Sequence, residues 1–123
     1  MAVVRRRRAG MTDPDIRRGD VWWVSLDPAQ GSEVKKTRPC LVLTHDTLNR
    51  LRRTVVVVPL SGSAQSHPPV TVPVLCQGKQ AVAVVDQVRA VGKHRLRARI
   101  ESMPMDSFRG VSDALSTILQ LKD

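Results

Sequence analysis

The sequence predicts a single, mainly β domain closed by one C-terminal helix, and three observations lead to this prediction. The chain has 123 residues, enough for one hydrophobic core. Hydrophobic residues make up 41% of it but aromatic residues only 2%, so aliphatic side chains, above all valine, must fill the core, and β-branched residues favour strands. Short apolar runs alternate with turn-forming residues, and only the C-terminal segment has a helical period. We therefore expect a small, strongly bent β-barrel or sandwich.

The strands are predicted in chain order between clear turn signals. A strand near residues 20–26 carries both tryptophans, which we assign to the core, and it ends at Asp27-Pro28. The run from Thr54 to Leu60 is almost continuous in valine, which predicts burial on both faces, and Pro59 predicts a bulge or an edge. The remaining strands are predicted near residues 39–44, 70–75, 80–85 and 99–102, with short polar turns near 44–53 and 93–97.

The C-terminal segment is predicted to be a helix that covers the core. Pro104 suits the first helical position, and Asp106 favours the positive end of the helix dipole. Gly110 costs about 1 kcal/mol relative to alanine, so the helix depends on its packing partner. One apolar stripe recurs at helical spacing, formed by Phe108, Val111, Leu115, Ile118 and Leu119.

The charge balance indicates a polyanionic partner. Lys and Arg number 20 against 11 Asp and Glu, for a formal net charge of +9. Without the run Arg5-Arg6-Arg7-Arg8 the chain still carries +5. Such a balance favours nucleic acid or an anionic membrane surface. Residues 1–16 are expected to form a disordered basic arm, and residues 17–123 the folded domain.

Cysteine usage and hydropathy indicate a cytoplasmic protein. Cys40 and Cys76 lie in apolar segments without metal-ligand spacing, so we expect no zinc, while a disulfide between them stays open. No apolar run is long enough to span a bilayer, and no apolar signal segment follows the N-terminal arginines.

The catalytic motifs missing from the sequence restrict the possible chemistry. There is no glycine-rich phosphate loop, GxSxG, HExxH or calcium loop, and His45, His67 and His94 are scattered. An enzyme here would need metal-free chemistry from arginine, hydroxyl and carboxylate groups. Cleavage of RNA is such a reaction, because the 2′-hydroxyl attacks its own phosphate and the protein need only position it, neutralise charge and move protons.

Arg38 and Ser61 are the candidates for that chemistry. Arg38 precedes Pro39 and is therefore held extended, and its guanidinium matches phosphate oxygens. Ser61 ends the most buried predicted strand. The alternatives are a solvated arginine and a serine that merely begins a turn.

A set of short motifs occurs in order along the chain. The motifs are Gly19-Asp20-Val21-Trp22, Gly31-Ser32-Glu33, Arg38-Pro39-Cys40-Leu41-Val42-Leu43, Asn49-Arg50, Val57-Val58-Pro59-Leu60-Ser61, Asp86-Gln87-Val88-Arg89 and Leu115-Ser116-Thr117-Ile118-Leu119. Through this set, residues 17–121 resemble the MazF/PemK family of toxin endoribonucleases from toxin–antitoxin modules. The resemblance implies an SH3-like barrel of the CcdB/MazF type with a C-terminal helix, in a homodimer. It also implies ribosome- and metal-independent, sequence-specific cleavage of single-stranded RNA such as mRNA, without a cofactor.

The resemblance also implies roles for individual residues. Arg38 would stabilise the transition state and take part in proton transfer, and Ser61 would supply a hydroxyl. Glu33 would act in RNA binding or catalysis, and Asp86 matches a proposed general base. Some members carry an arginine two residues before that aspartate, where this chain has Val84, which shifts weight to Arg38 and Ser61. The candidate RNA-binding residues are Ser32, Lys35, Lys36, Asn49, Arg50, Arg53 and Gln87.

A protein partner and two alternative functions follow from the same reading. A basic concave site suits a cognate antitoxin whose acidic, disordered C-terminal segment folds on binding and covers Arg38. We expect no membrane partner.

Because fold alone does not determine function, a CcdB-like, non-nuclease inhibitor of DNA gyrase on the same fold is the alternative. An RNA-binding module without turnover is the third.

Overall fold

Seven antiparallel strands and two α-helices make up residues 15–26 and 36–121, the part of the chain that the structure, a computed structural model, describes. Two short 3-10 turns, Val85–Gln87 and Lys93–Arg95, join the later strands. The predicted mainly β domain with a C-terminal helix is confirmed. The strands are β1 (Asp20–Ser25), β2 (Thr37–Val42), β3 (Thr54–Ser61), β4 (Thr71–Cys76), β5 (Lys79–Val84), β6 (Arg89–Gly92) and β7 (Leu96–Ser102), and the helices are α1 (Asp46–Leu51) and α2 (Met105–Ile118).

Strand β3 lies at the centre of the sheet and pairs with three other strands. Along one edge it pairs with β2. Along the other edge residues 54–57 pair with β6, and Leu60 and Ser61 pair with β5. Pro59 has no N–H to donate, and it lies in the interval between these two partners. The proline therefore stands where β3 changes its partner.

The sheet is open, which differs from the closed ring that a barrel implies. Its strand order is β4-β5-β3-β2-β1-β7 with β6 on β3, and among the described pairings β4 and β7 do not join each other. Side chains bridge this gap instead. The Glu101 carboxylate at the end of β7 accepts a hydrogen bond from the Gln77 N–H at 2.6 Å, and the Ser107 hydroxyl of α2 accepts one from the Leu75 N–H at 3.0 Å. The β4 end of the sheet thus obtains hydrogen-bond partners without a further strand.

The core consists of two clusters on opposite faces of the central strands. Val58 and Leu60 belong to the cluster under α2, whereas Val55 and Val57 belong to the cluster on the other face. Alternate residues of a strand point to opposite faces, so β3 is buried on both sides as its valine run predicts.

Three sequence predictions about burial need correction. Trp22 is buried, but Trp23 is 40% exposed, because its cross-strand neighbours Pro39 and Ala98 leave the indole partly open. Leu119 lies just beyond the last residue of α2 and is exposed. Ile16 was predicted within the disordered arm, yet it is buried in the second cluster.

The sequence also makes predictions about the N-terminal arm, the two cysteines and membrane-spanning segments. Residues 1–14 of the predicted arm lie outside the described residues. Cys40 and Cys76 are both free thiols, so they do not form the disulfide that the sequence left open. Within residues 15–26 and 36–121, no helix is long and apolar enough to cross a membrane.

Candidate active site

Strand register brings Arg38 and Ser61 together. In the pairing of β2 with β3, Cys40 lies opposite Pro59 and Leu41 opposite Val58. This pairing ends at Cys40 and Pro59, and Arg38 and Ser61 each lie two residues beyond it on their own strands. Both residues line one cleft of about 310 Å³. The structure therefore unites the two residues that the sequence singled out for chemistry.

The cleft combines an apolar floor with a polar rim. Gln87, a predicted RNA-binding residue, lies on this rim at the end of the first 3-10 turn. Sequence reasoning missed Thr71, whose hydroxyl donates to the Gln65 carbonyl at 2.8 Å and accepts from the His67 N–H at 2.6 Å. It also missed Ser63 and Ala64, which continue the chain from Ser61 and line the same cleft. The other lining residues are Leu26, Pro59, Leu60, Ser63, Ala64 and Val84.

The hydrogen bonds of Ser61 define what its hydroxyl can do. Its Oγ accepts from the N–H of Ser63 at 3.2 Å and from the N–H of Ala64 at 3.0 Å. A serine hydroxyl has two acceptor positions and one donor proton. Both acceptor positions are filled, so the proton remains for a donor bond. Ser61 is thus suited to stabilising an anion and unsuited to removing a proton.

Arg38 presents a half-buried cation to the cleft. Among the ion pairs that the described residues form, none involves Arg38. Its backbone carbonyl accepts a long hydrogen bond from the Cys40 thiol at 3.7 Å. Burial raises the pKa of Cys40 to about 12, against the opposing effect of the Arg89 and Arg38 charges. The thiol beside Arg38 is therefore neutral, and the guanidinium remains available for an anionic ligand.

Of the two predicted carboxylates, Asp86 lies within the described residues and Glu33 does not. Asp86 is exposed in the first 3-10 turn, and it is not among the residues that line the cleft. Glu33, Ser32 and Lys35 lie outside the described residues, so their roles stay predictions. The described residues on either side of that gap, Leu26 and Lys36, are joined by a hydrogen bond from the Leu26 N–H to the Lys36 carbonyl at 3.1 Å.

The predicted RNA-binding residues near α1 lie apart from the Arg38 cleft. Asn49 is only 2% exposed, and its amide donates to the Thr44 carbonyl at 2.8 Å. This burial argues for a structural role, and contact of Asn49 with RNA stays a prediction. Arg50 and Arg53 line a second cleft that shares no residue with the first.

The sequence of this chain matches a family of small toxins. Residues 17–119 match the PemK-like, MazF-like toxins of type II toxin–antitoxin systems, and the chain belongs to this family. A similar relative is Endoribonuclease PemK of Escherichia coli, which is 36% identical over 118 residues, covering 92% of this chain and 89% of that protein. The predicted family is therefore confirmed.

Solved structures share the fold. The MazE–MazF complex from Deinococcus radiodurans (Form-II) has a TM-score of 0.77 at 24% identity, covering 89% of this chain and 100% of that one. An endoribonuclease in complex with its cognate antitoxin from a mycobacterial species has a TM-score of 0.73 at 22% identity, covering 88% and 98%. At sequence identities of 24% and 22%, this structural similarity establishes the fold alone.

Proposed function

We propose that this chain is the toxin of a type II toxin–antitoxin system and cleaves single-stranded RNA, including mRNA, at short sequence motifs without a ribosome or a metal ion. The observation that supports this best is the placement of Arg38 and Ser61 on facing strands of one cleft. The family match and the 36% identity to an endoribonuclease support the same reaction class.

The proposed reaction uses the attack of the 2′-hydroxyl on the adjacent phosphate. A bond forms between the 2′-oxygen and phosphorus, the bond to the 5′-oxygen breaks, and a 2′,3′-cyclic phosphate and a 5′-hydroxyl result. The Arg38 guanidinium binds the non-bridging oxygens and stabilises their growing charge, while the Ser61 hydroxyl donates to the same group. Arg38 also takes part in proton transfer, Asp86 is the candidate for the general base, and Glu33 acts in RNA binding or catalysis.

We further propose a homodimer that acts in the cytoplasm and is restrained by its cognate antitoxin. The net charge of +9 favours both RNA and an acidic antitoxin segment. A carboxylate-rich segment that covers Arg38 would occupy the position of the scissile phosphate.

The two alternative functions are weaker. The relatives described above are endoribonucleases and MazF proteins, and they give no support to a gyrase inhibitor. An RNA-binding module without turnover would bind the same RNA but release no fragments.

A cleavage assay with mapped ends tests the proposed function. Purified protein is incubated with a long RNA of mixed sequence in the presence of EDTA, and the cut ends are mapped. We expect cuts that share a short motif and persist in EDTA, because no step above requires a metal. Intact RNA together with inhibited DNA supercoiling would instead establish the gyrase alternative, and cleavage lost on chelation would contradict the mechanism.

A further inference from the structure

A second cleft of about 470 Å³ is lined almost entirely by basic residues. Its lining residues are Arg50, Leu51, Arg52, Arg53, Lys93 and His94, and we call it the basic cleft. Three arginines and Lys93 supply its cationic side chains, and none of the described residues that line the cleft is acidic.

Backbone pairing brings together the two distant segments that form the basic cleft. Thr54 at the start of β3 lies opposite Gly92 at the end of β6. Just beyond this pair, the Lys93 N–H donates to the Arg53 carbonyl at 2.9 Å. The turn after α1 and the second 3-10 turn are thus fixed beside each other, and their cations are held together by the fold.

The arginines of the basic cleft are available to a ligand. Within the described residues, ion pairs join Arg17 to Asp15 and Arg99 to Asp20, and none involves Arg52 or Arg53, which are both exposed. Arg50 forms only a long hydrogen bond to the Thr47 hydroxyl at 3.4 Å. Like charges held this close repel one another, so a bound anion would relieve the repulsion.

The basic cleft is separate from the Arg38 cleft, and β3 together with one side-chain hydrogen bond connects their surroundings. Arg53 precedes β3 and Ser61 ends it, a path of about 26 Å along an extended strand. Arg95, at the end of the second 3-10 turn, donates to the Ser25 carbonyl at 3.2 Å. Ser25 immediately precedes Leu26, which lines the Arg38 cleft.

We propose that the basic cleft is a second binding site for the RNA substrate, one that holds the phosphate backbone outside the cleaved stretch. The proposal rests on the proposed function. Guanidinium forks match phosphate oxygens, and Leu51, which is 74% exposed between two arginines, offers apolar surface to an unstacked base or ribose. Backbone contacts position an RNA but carry no sequence information, so this site raises affinity for long RNA without altering the cleaved motif.

RNA fits this site better than an anionic membrane surface does. The exposed apolar side chains of α1 are Leu48 and Leu51, on a helix of six residues. Membrane-surface helices bury a long continuous apolar face, which this helix does not have.

The test compares two RNAs that contain the same mapped motif, one just long enough to fill the Arg38 cleft and one extended by unpaired nucleotides on both sides. The variant carries Arg52→Gln with Arg53→Gln. The matched control, Lys79→Gln with Arg109→Gln, removes two exposed charges elsewhere. For the wild type and the control we expect a KM about tenfold lower for the long RNA. For the cleft variant, the ratio of the KM for the short RNA to the KM for the long RNA should fall to about one. The slope of log KM for the long RNA against log salt concentration should decrease by about 1.4, because two phosphate contacts are lost at about 0.7 each.

The outcomes separate this proposal from the proposed function. If the wild type cleaves both RNAs and the cleft variant keeps its preference for the long one, the second site is wrong while the proposed function stands. If the cleft variant had a KM raised by the same factor for both RNAs, the second binding site would also be wrong, because the arginines would then act at the cleaved stretch. If the wild type cleaves neither RNA, both proposals fail. Binding to phosphatidylserine vesicles that depends on Arg52 and Arg53, with no RNA effect, would assign the site to a membrane surface.

Discussion

At the scale of single residues, the candidate active site depends on one cation and one hydroxyl on facing strands. The position of Arg38 before Pro39 fixes its backbone, and the register of β2 with β3 fixes its neighbour. The two acceptor bonds of Ser61 leave only its proton for the substrate.

Arg38→Ala should lower the rate of RNA cleavage strongly while leaving the fold intact. Removing a preorganised charge donor typically costs a factor of about 10²–10³ in rate. Arg38→Lys should recover only part of the loss, because an ammonium group lacks the planar fork. Initial cleavage rates and melting curves of both variants provide the measurement, with Arg109→Ala as the matched control. A wild-type rate for Arg38→Ala would remove the basis of the mechanism.

Cys40 should resist thiol reagents in the native protein. Its pKa is raised to about 12 from 9.0 by burial, so the reactive thiolate is scarce at pH 8. The unfolded chain loses this proton near pH 9, so Cys40 should lower the free energy of unfolding as pH rises from about 9 towards 12. In a Cys76→Ser background, we expect slow labelling that becomes fast in urea. Rapid labelling of the folded protein would show that Cys40 is accessible.

At the scale of elements, the sequence predicted local features well and tertiary ones less well. The valine run of β3 and the stripe of α2 are signals of period two and period 3.6, so strand and helix could be read directly. Sheet closure depends on whether β4 and β7 meet, which no local pattern encodes. The sequence did not predict the basic cleft either, because it is the pairing of β3 with β6 that brings Arg53 and Lys93 together.

Gly110→Ala should stabilise the protein by about 1 kcal/mol. Gly110 is exposed within α2, and a Cβ at this position would meet no atom within 4 Å. Alanine therefore gains helix propensity without a clash. Chemical denaturation should show a higher midpoint with the same m-value. Gly78→Ala is the contrasting control, since its φ of +73° disfavours a side chain and the midpoint should fall. If Gly110→Ala lowered the midpoint, α2 would be packed differently from the structure.

At the scale of the whole molecule, basic charge is distributed over two clefts on one small sheet. The predicted pair of Arg38 and Ser61 lies together, whereas the predicted phosphate-binding arginines Arg50 and Arg53 lie in the other cleft. A sequence shows which residues are basic, but only strand pairing shows which of them share a surface. The excess of positive charge therefore favours a polyanion that extends over more than one site.

The cognate antitoxin should compete with RNA for this surface. Under the proposed function, an acidic segment of the antitoxin and the RNA backbone both bind the Arg38 guanidinium, so adding the antitoxin should raise KM for RNA and leave kcat at saturating RNA unchanged. Because both ligands bind through charge, the inhibition should weaken as salt rises from about 50 to 200 mM. The measurement is the initial cleavage rate over a matrix of RNA and antitoxin concentrations. An antitoxin that lowered kcat at constant KM would bind elsewhere, and Arg38 would then stay open to solvent in the inhibited complex.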